Sequence, residues 1–249
     1  MSTPQSILIV GGHGKVALHL SRILSNAPYN ARITSLIRDP SHKQDIIATG
    51  AQPRLLSLED ASVDEVKGAI EEVKADIVYF AAGAGGKGGE DRTKAVDYKG
   101  AVKVFDALEK VGGKKARLVL ISAIDVREEG KVPAHYTEED IKASKAGRAA
   151  IPVYFKYKLE ADKNLVKRTA FKWTILRPGH LSDEKGTGKA SIGRTHLSPS
   201  IAREDIAHAL AYLSQREDAA GLAIDFVGGD TSIEEGLDKV IKRGESDFK

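Results

Sequence analysis

Short apolar runs alternate along this chain with longer segments whose apolar residues recur every three to four positions. That alternation restricts the possible folds more than any other feature. Ile7–Val10 is a four-residue apolar run, and after it Val16, Leu20, Ile23 and Leu24 fall at i, i+4, i+7 and i+8, one face of a helix. Further strand candidates are Ala31–Ile37, Arg54–Leu56, Asp76–Ala82, Arg117–Ser122, Trp173–Leu176 and Ala223–Val227. Helical segments fall between them, including Val63–Lys74, Ala95–Val111, Tyr154–Thr169 and Ile201–Leu213. Near-continuous apolar strands separated by helices predict an α/β fold with a doubly wound parallel sheet covered on both faces.

Composition removes several alternatives. The chain has 249 residues, 41% hydrophobic and 29% charged, enough for one large domain over residues 1–249 with a sizeable core. The 38 basic and 35 acidic residues are mixed along it, without the one-sided basic stripe of a nucleic-acid binder. With no Cys there is no disulfide, thiolate metal site or Cys nucleophile, which fits a reducing compartment. The seven His residues lack metal-ligand spacing, and no Gly-x-Ser-x-Gly elbow supports serine hydrolysis. The N-terminus lacks signal-peptide features and no apolar run approaches a membrane span, so a cytoplasmic location is expected, with the nucleus also open.

Two stretches break the rhythm. Asp125–Ala150 is charged and holds a short helix starting at the capping pair Thr137 and Asp140, while Leu181–Ser200, with Gly186, Gly188, Gly193 and Pro199, reads as a long loop. Substrate-side elements are therefore expected mainly in 125–150 and 178–249, with Gly186–Gly188 as a lid hinge.

The most specific local signal is Val10-Gly11-Gly12-His13-Gly14-Lys15-Val16-Ala17, between the first strand and the first helix. Gly11 takes tight-turn torsions, Gly14 lets a pyrophosphate approach the backbone, and Ala17 lets the helix pack closely on the sheet. The helix N-terminus offers unpaired N–H groups to the anion, with His13 beside it. A phosphate-loop NTPase is rejected, because Val16 follows Lys15 where Ser or Thr is required. Arg38, closing the second strand, suits the 2′-phosphate of NADP better than the bare ribose of NAD. Ala81, Ala82 and Gly83 close the fourth strand with small residues that leave room for a cofactor, and Lys87–Glu90 beyond them reads as a flexible loop.

In this order, the Gly11/Gly14/Ala17 turn, Arg38-Asp39-Pro40, Ala81-Ala82-Gly83, Ser122 and Tyr154-x-x-x-Lys158 resemble the short-chain dehydrogenase/reductase superfamily, in its atypical, NmrA-like NAD(P)-binding branch. Leu176-Arg177-Pro178-Gly179 and Arg203-Glu204-Asp205-Ile206-Ala207 add to the likeness, which spans nearly the whole chain. The resemblance implies a Rossmann-type sheet with a small C-terminal substrate region. It also implies binding of NADP(H), with NAD(H) possible, by Gly11, Gly12, His13, Gly14, Lys15, Val16, Arg38, Ala81, Ala82, Gly83, Lys158, Pro178 and Gly179. Pro178 and Gly179 would turn beneath the nicotinamide and offer free backbone groups to its carboxamide.

Tyr154 and Lys158 are four apart and share a helix face. An ammonium beside a phenol favours phenolate, so the tyrosine pKa is expected to fall from about 10 and make Tyr154 a general acid or base. Ser122, at a strand's C-terminal end, is expected to orient the reacting oxygen. Asp97 stands where many competent relatives carry an Asn in a proton relay, and an ionised Asp only accepts hydrogen bonds.

The sequence thus predicts an oxidoreductase moving hydride between NADP(H) and a small carbonyl or alcohol, with no metal, nucleic-acid or membrane partner. The competing reading is a non-catalytic redox sensor acting on a partner protein. Epimerase chemistry on a nucleotide sugar is a third, which nothing in the sequence specifically favours.

Overall fold

The computed structural model describes residues 4–85 and 88–248; the first three residues, Gly86, Lys87 and Lys249 lie outside it, and with them the start of the expected loop at Lys87–Glu90. The elements in chain order are β1 (Ser6–Val10), α1 (Lys15–Ser25), β2 (Arg32–Ile37), α2 (Lys43–Ile47), β3 (Gln52–Leu55), α3 (Val63–Glu72), β4 (Ile77–Phe80), α4 (Gly89–Thr93), a π-helical stretch Lys94–Gly100 running into α5 (Ala101–Lys110), and β5 (Arg117–Ile121). There follow α6 (Glu138–Ala150), α7 (Pro152–Leu165), β6 (Trp173–Pro178), β7 (Leu181–Ser182), β8 (Lys189–Ile192), β9 (Ile201–Ala202), α8 (Arg203–Ser214), β10 (Ala223–Ser232) and α9 (Ile233–Arg243).

The main sheet has eight strands in the order β3-β2-β1-β4-β5-β6-β10-β8. Every neighbouring pair is parallel except β10 with β8. Alternation along the strands divides the core in two. Ile7, Ile9 and Tyr79 pack with Leu20 of α1, Ile206 and Leu210 of α8 and Leu237 of α9. Leu8, Val10, Val78 and Phe80 face the other way, against Val66 and Ile70 of α3 and Val104, Phe105 and Leu108 of α5. Two-sided burial explains why these strands are almost continuously apolar.

β1 pairs with β2 on one side and β4 on the other, so the winding reverses between β1 and β4. A crevice opens there, beyond Val10 and Phe80, where open α/β sheets place their ligands.

Three sequence expectations are corrected. Leu181–Ser200 is not one long loop: β7 pairs with β9, and β8 adds an antiparallel edge to β10. The register of that edge shifts between Val227 and Thr231, and a Cβ on Gly229 would lie 2.4 Å from the Ser191 nitrogen. That bulge lies in β10, whereas β8 alternates exposed Lys189 and Ser191 with Ala190 and Ile192 over only four residues, too few to mark a strand. The segment Ala95–Val111 is α-helical only from Ala101. The helix after Thr137 is not short, since it runs to Ala150 from a full capping box with Asp140 and stops where Pro152 opens α7.

Candidate functional site

Gly11 has φ +81°, and a Cβ on it would sit 2.6 Å from the Ala82 Cα. The turn after β1 therefore touches the end of β4 directly. At Gly12 a Cβ would meet the Ser35 side chain at 2.4 Å. Gly14 is the N-cap of α1 and supplies no side-chain cap, and the first turn of α1 carries no acidic residue. By contrast, α3 and α6 close their first turns with capping boxes and their own carboxylates. The start of α1 thus keeps unpaired N–H groups and positive end-charge for an external anion.

Two clefts meet at this turn. One, of about 220 Å³, runs over Gly11, His13, Leu36, Arg38, Leu56, Glu59 and Arg92. The other, of about 790 Å³, runs over Lys15, Asp97, Ser122, Tyr154, Lys158, Pro178, Gly179 and Arg203. Gly14, Ala81, Ala82 and Gly83 line both. Small residues at the junction make the pair one continuous trough across the strand ends.

In the smaller cleft Arg38 donates to Glu59 Oε1 at 2.8 Å, and Arg92 Nε lies 3.7 Å from the same oxygen. Arg38 therefore leans into the cleft and not onto its neighbour Asp39, which caps Ser41. The His13 ring stacks on His42 at 3.5 Å and pairs with Asp45 at 2.8 Å, forming one rim. Lys15 reaches across to Asp183, which also accepts from Arg203 at 2.6 Å.

In the larger cleft α7 presents Tyr154, Lys158 and Asp162 at i, i+4 and i+8. Lys158 is buried, donates to the Ile121 carbonyl at 3.2 Å and pairs with the buried Asp97 at 3.3 Å. Burial opposes its charge, but the charges of a Tyr154 phenolate, Asp97 and Asp162 outweigh that and raise its pKa. Asp97 projects from the π-helical stretch and also accepts the Ala84 N–H at 2.9 Å, which ties the end of β4 to α7. Such a local widening of a helix is often found at functional sites.

The expected lowering of the Tyr154 pKa is overturned. The Lys158 ammonium lies 5.7 Å from its ring centroid and does favour phenolate, but burial raises the pKa more, and Asp97 and Asp162 raise it further. The hydroxyl of Ser122 is not free either. It donates to Asp162 Oδ2 at 2.6 Å, and burial pushes the Asp162 carboxyl up to about 6 against the pull of Ser122, Arg177 and Lys158. Two of the backbone groups of Pro178 and Gly179 are engaged: the Pro178 carbonyl accepts from Ile124 and the Gly179 N–H donates to Phe226. A Cβ on Gly179 would lie 2.7 Å from Val227, so packing requires the glycine.

The Gly186–Gly188 segment is held, not hinged. Glu204 accepts the Gly186 N–H at 2.8 Å, and Asp205 accepts those of Thr187 and Gly188 at 3.0 and 2.8 Å. This gives the Arg203-Glu204-Asp205 motif its physical content. Sequence reasoning missed Glu59, Arg92, Asp162 and Asp183. Of these only Asp162 carried a readable signal, the i+4 repeat beyond Lys158.

A family model described as NAD(P)H-binding matches residues 11–217, from the glycine turn to the residues after α8. The chain belongs to the NAD(P)H-binding family of atypical short-chain dehydrogenase/reductase-type proteins. Proteins similar to it are described as an uncharacterised sugar epimerase and as an oxidoreductase. A UPF0659 protein of Schizosaccharomyces pombe is 37% identical over 97% of both chains. An uncharacterised sugar epimerase of Bacillus subtilis, YhfK, is 30% identical over 94% of this chain and 99% of its own. Among solved structures, a putative NAD-dependent epimerase/dehydratase from Bacillus halodurans superposes with TM-score 0.77 at 28% identity, covering 94% of this chain and 98% of that one. No helix among the described residues is long and apolar enough to cross a membrane. Nor do those residues include a cluster of three or more His, Cys, Asp or Glu that would hold a metal.

Proposed function

We propose that this family member is an NADP(H)-dependent oxidoreductase acting on a small carbonyl or alcohol, with residues 1–249 forming one domain and 125–150 and 178–249 bounding its substrate side. The observation that carries the reading is the continuous trough, with an uncapped helix N-terminus at its middle and Tyr154 and Lys158 at one end. The residues fit a dinucleotide. The backbone of Gly12–Val16 meets the diphosphate, Gly11, Ala82 and Gly83 leave space beside it, and Arg38 at the far end meets a 2′-phosphate. NAD(H) fits the same trough without that contact.

When bound, the nicotinamide supplies or accepts the hydride. Tyr154 Oη gives its proton to the carbonyl oxygen that becomes an alcohol, and the Lys158 ammonium stabilises the phenolate left behind. A raised tyrosine pKa keeps the phenol protonated at neutral pH, the form that reduction consumes. Lys158 also binds the nicotinamide ribose, and Ser122 orients the substrate oxygen by accepting or donating according to the state of Asp162.

A redox sensor that binds the dinucleotide without turnover is favoured by one observation: Ser122 and Lys158 are already satisfied by Asp162 and Asp97. A panel of aldehydes, ketones and quinones with NADPH separates the two. Turnover that Tyr154→Phe lowers by about 10²-fold or more supports the enzyme. Tight NADPH binding with no turnover on any of them supports the sensor, and turnover untouched by Tyr154→Phe removes Tyr154 from the reaction.

A further inference from the structure

We infer that the carbonyl compound accepted by the larger cleft is an apolar one, aryl or long-chain alkyl, and not a sugar or sugar nucleotide. The inference rests on the oxidoreductase reading above and adds the substrate class to it.

Ile124, Ile151, Phe155 and Leu181 give the larger cleft an apolar wall. Ile151 joins α6 to α7 and is 50% exposed, one of the few large apolar side chains left in that state. The Phe155 ring is fixed on two sides. The Arg148 guanidinium lies 5.5 Å from its centroid and the Tyr154 ring meets it edge-on at 5.8 Å. Arg148 is itself anchored to the Asp125 and Arg127 carbonyls. An aromatic face held this way is a preformed apolar platform.

The polar side chains of the same cleft are largely spent on one another. Ser122 gives its proton to Asp162, Lys158 is held by Asp97 and the Ile121 carbonyl, and Lys15 and Arg203 share Asp183. Among the described residues lining the cleft, Tyr154 Oη and the His180 ring are the polar side-chain groups not so engaged. Two such groups suffice for one carbonyl oxygen. A hexose brings several hydroxyls, and each one buried without a partner lowers affinity by about tenfold. Specific sugar recognition needs converging donors and acceptors, and this wall offers apolar side chains instead.

The test is a homologous series of n-alkyl phenyl ketones, titrated calorimetrically into the full chain with and without saturating NADP⁺, with UDP-glucose as the contrasting arm. Affinity should rise about three- to fourfold for each added methylene until the wall is covered. Ile151→Ser should flatten that slope, and Phe155→Ser should do so further; Ile151 lies on the lip, so its variant keeps the fold even if the other does not. A flat series, or UDP-glucose bound more tightly than every ketone, overturns the inference. Failure of NADP⁺ and NADPH to bind overturns the oxidoreductase reading instead, and the dinucleotide-free series still reads the wall.

Discussion

Asp162 accepts the Ser122 hydroxyl at 2.6 Å, and both residues are buried. While the Asp162 carboxyl is ionised, Ser122 can only accept a further hydrogen bond from the cleft. Once Asp162 is protonated it can donate to Ser122 Oγ, which frees the hydroxyl proton for a substrate oxygen. The carboxyl, pushed up to about 6 by burial, sets the pH of that reversal.

For any carbonyl the protein reduces, kcat/KM should therefore climb as pH falls through about 6. Asp162→Asn fixes the amide's state and should remove that inflection while Tyr154 remains. A pH–rate profile of the two proteins checks this, and an inflection surviving in Asp162→Asn would rule Asp162 out as its source.

The same burial makes stability depend on pH. Asp162 and Asp225 are raised by burial to about 6 and about 7, above the unfolded carboxylate value near 4. The folded chain then holds more protons than the unfolded chain between those limits. This contribution is complete below about pH 4 and is lost as pH rises through 6 and 7. Thermal unfolding should show Tm falling from pH 5 to pH 8. Asp225→Asn removes the carboxyl that faces Arg177 at 3.2 Å, so its decline with pH should be shallower. Equal slopes would contradict the assignment.

On the proposed reading, Glu59 competes with a coenzyme phosphate in the smaller cleft. It faces Arg38 at 2.8 Å and Arg92 at 3.7 Å, the side chains an added phosphate would need. Glu59→Gln keeps the shape and removes the competing charge, so NADPH affinity relative to NADH should rise about tenfold at low salt. Arg38→Ala should lower NADPH affinity and leave NADH nearly unchanged. Fluorescence titration of both coenzymes reads both ratios.

The sheet was legible because its strands are buried on both faces and announce themselves as apolar runs, and the order of the glycine turn, Arg38 and Tyr154/Lys158 along the chain follows from the winding. β8 was not legible, since its alternation covers only Lys189–Ile192 between two glycines, Gly188 and Gly193. Asp162 sits one turn beyond Lys158 and was readable in principle. The partnership of Glu59 with Arg38 was not, because it spans 21 positions and two elements. The sign of the Tyr154 shift was also beyond the sequence: spacing reveals the ammonium beside the phenol but not the burial that outweighs it.

The most direct test of the account concerns the N-cap of α1. Gly14 has φ −63° and ψ 144°, torsions open to any residue, and a Cβ there meets nothing closer than the Gly11 carbonyl at 3.3 Å. Asp is a preferred N-cap, so Gly14→Asp should fold with Tm unchanged or slightly raised. Its carboxylate would nevertheless take the position of the diphosphate. NADPH and NADH titrations should show saturable binding to the unaltered chain and at least a tenfold loss in Gly14→Asp. Equal binding by the two proteins, or no binding of either coenzyme to the unaltered chain at millimolar concentration, would contradict the account.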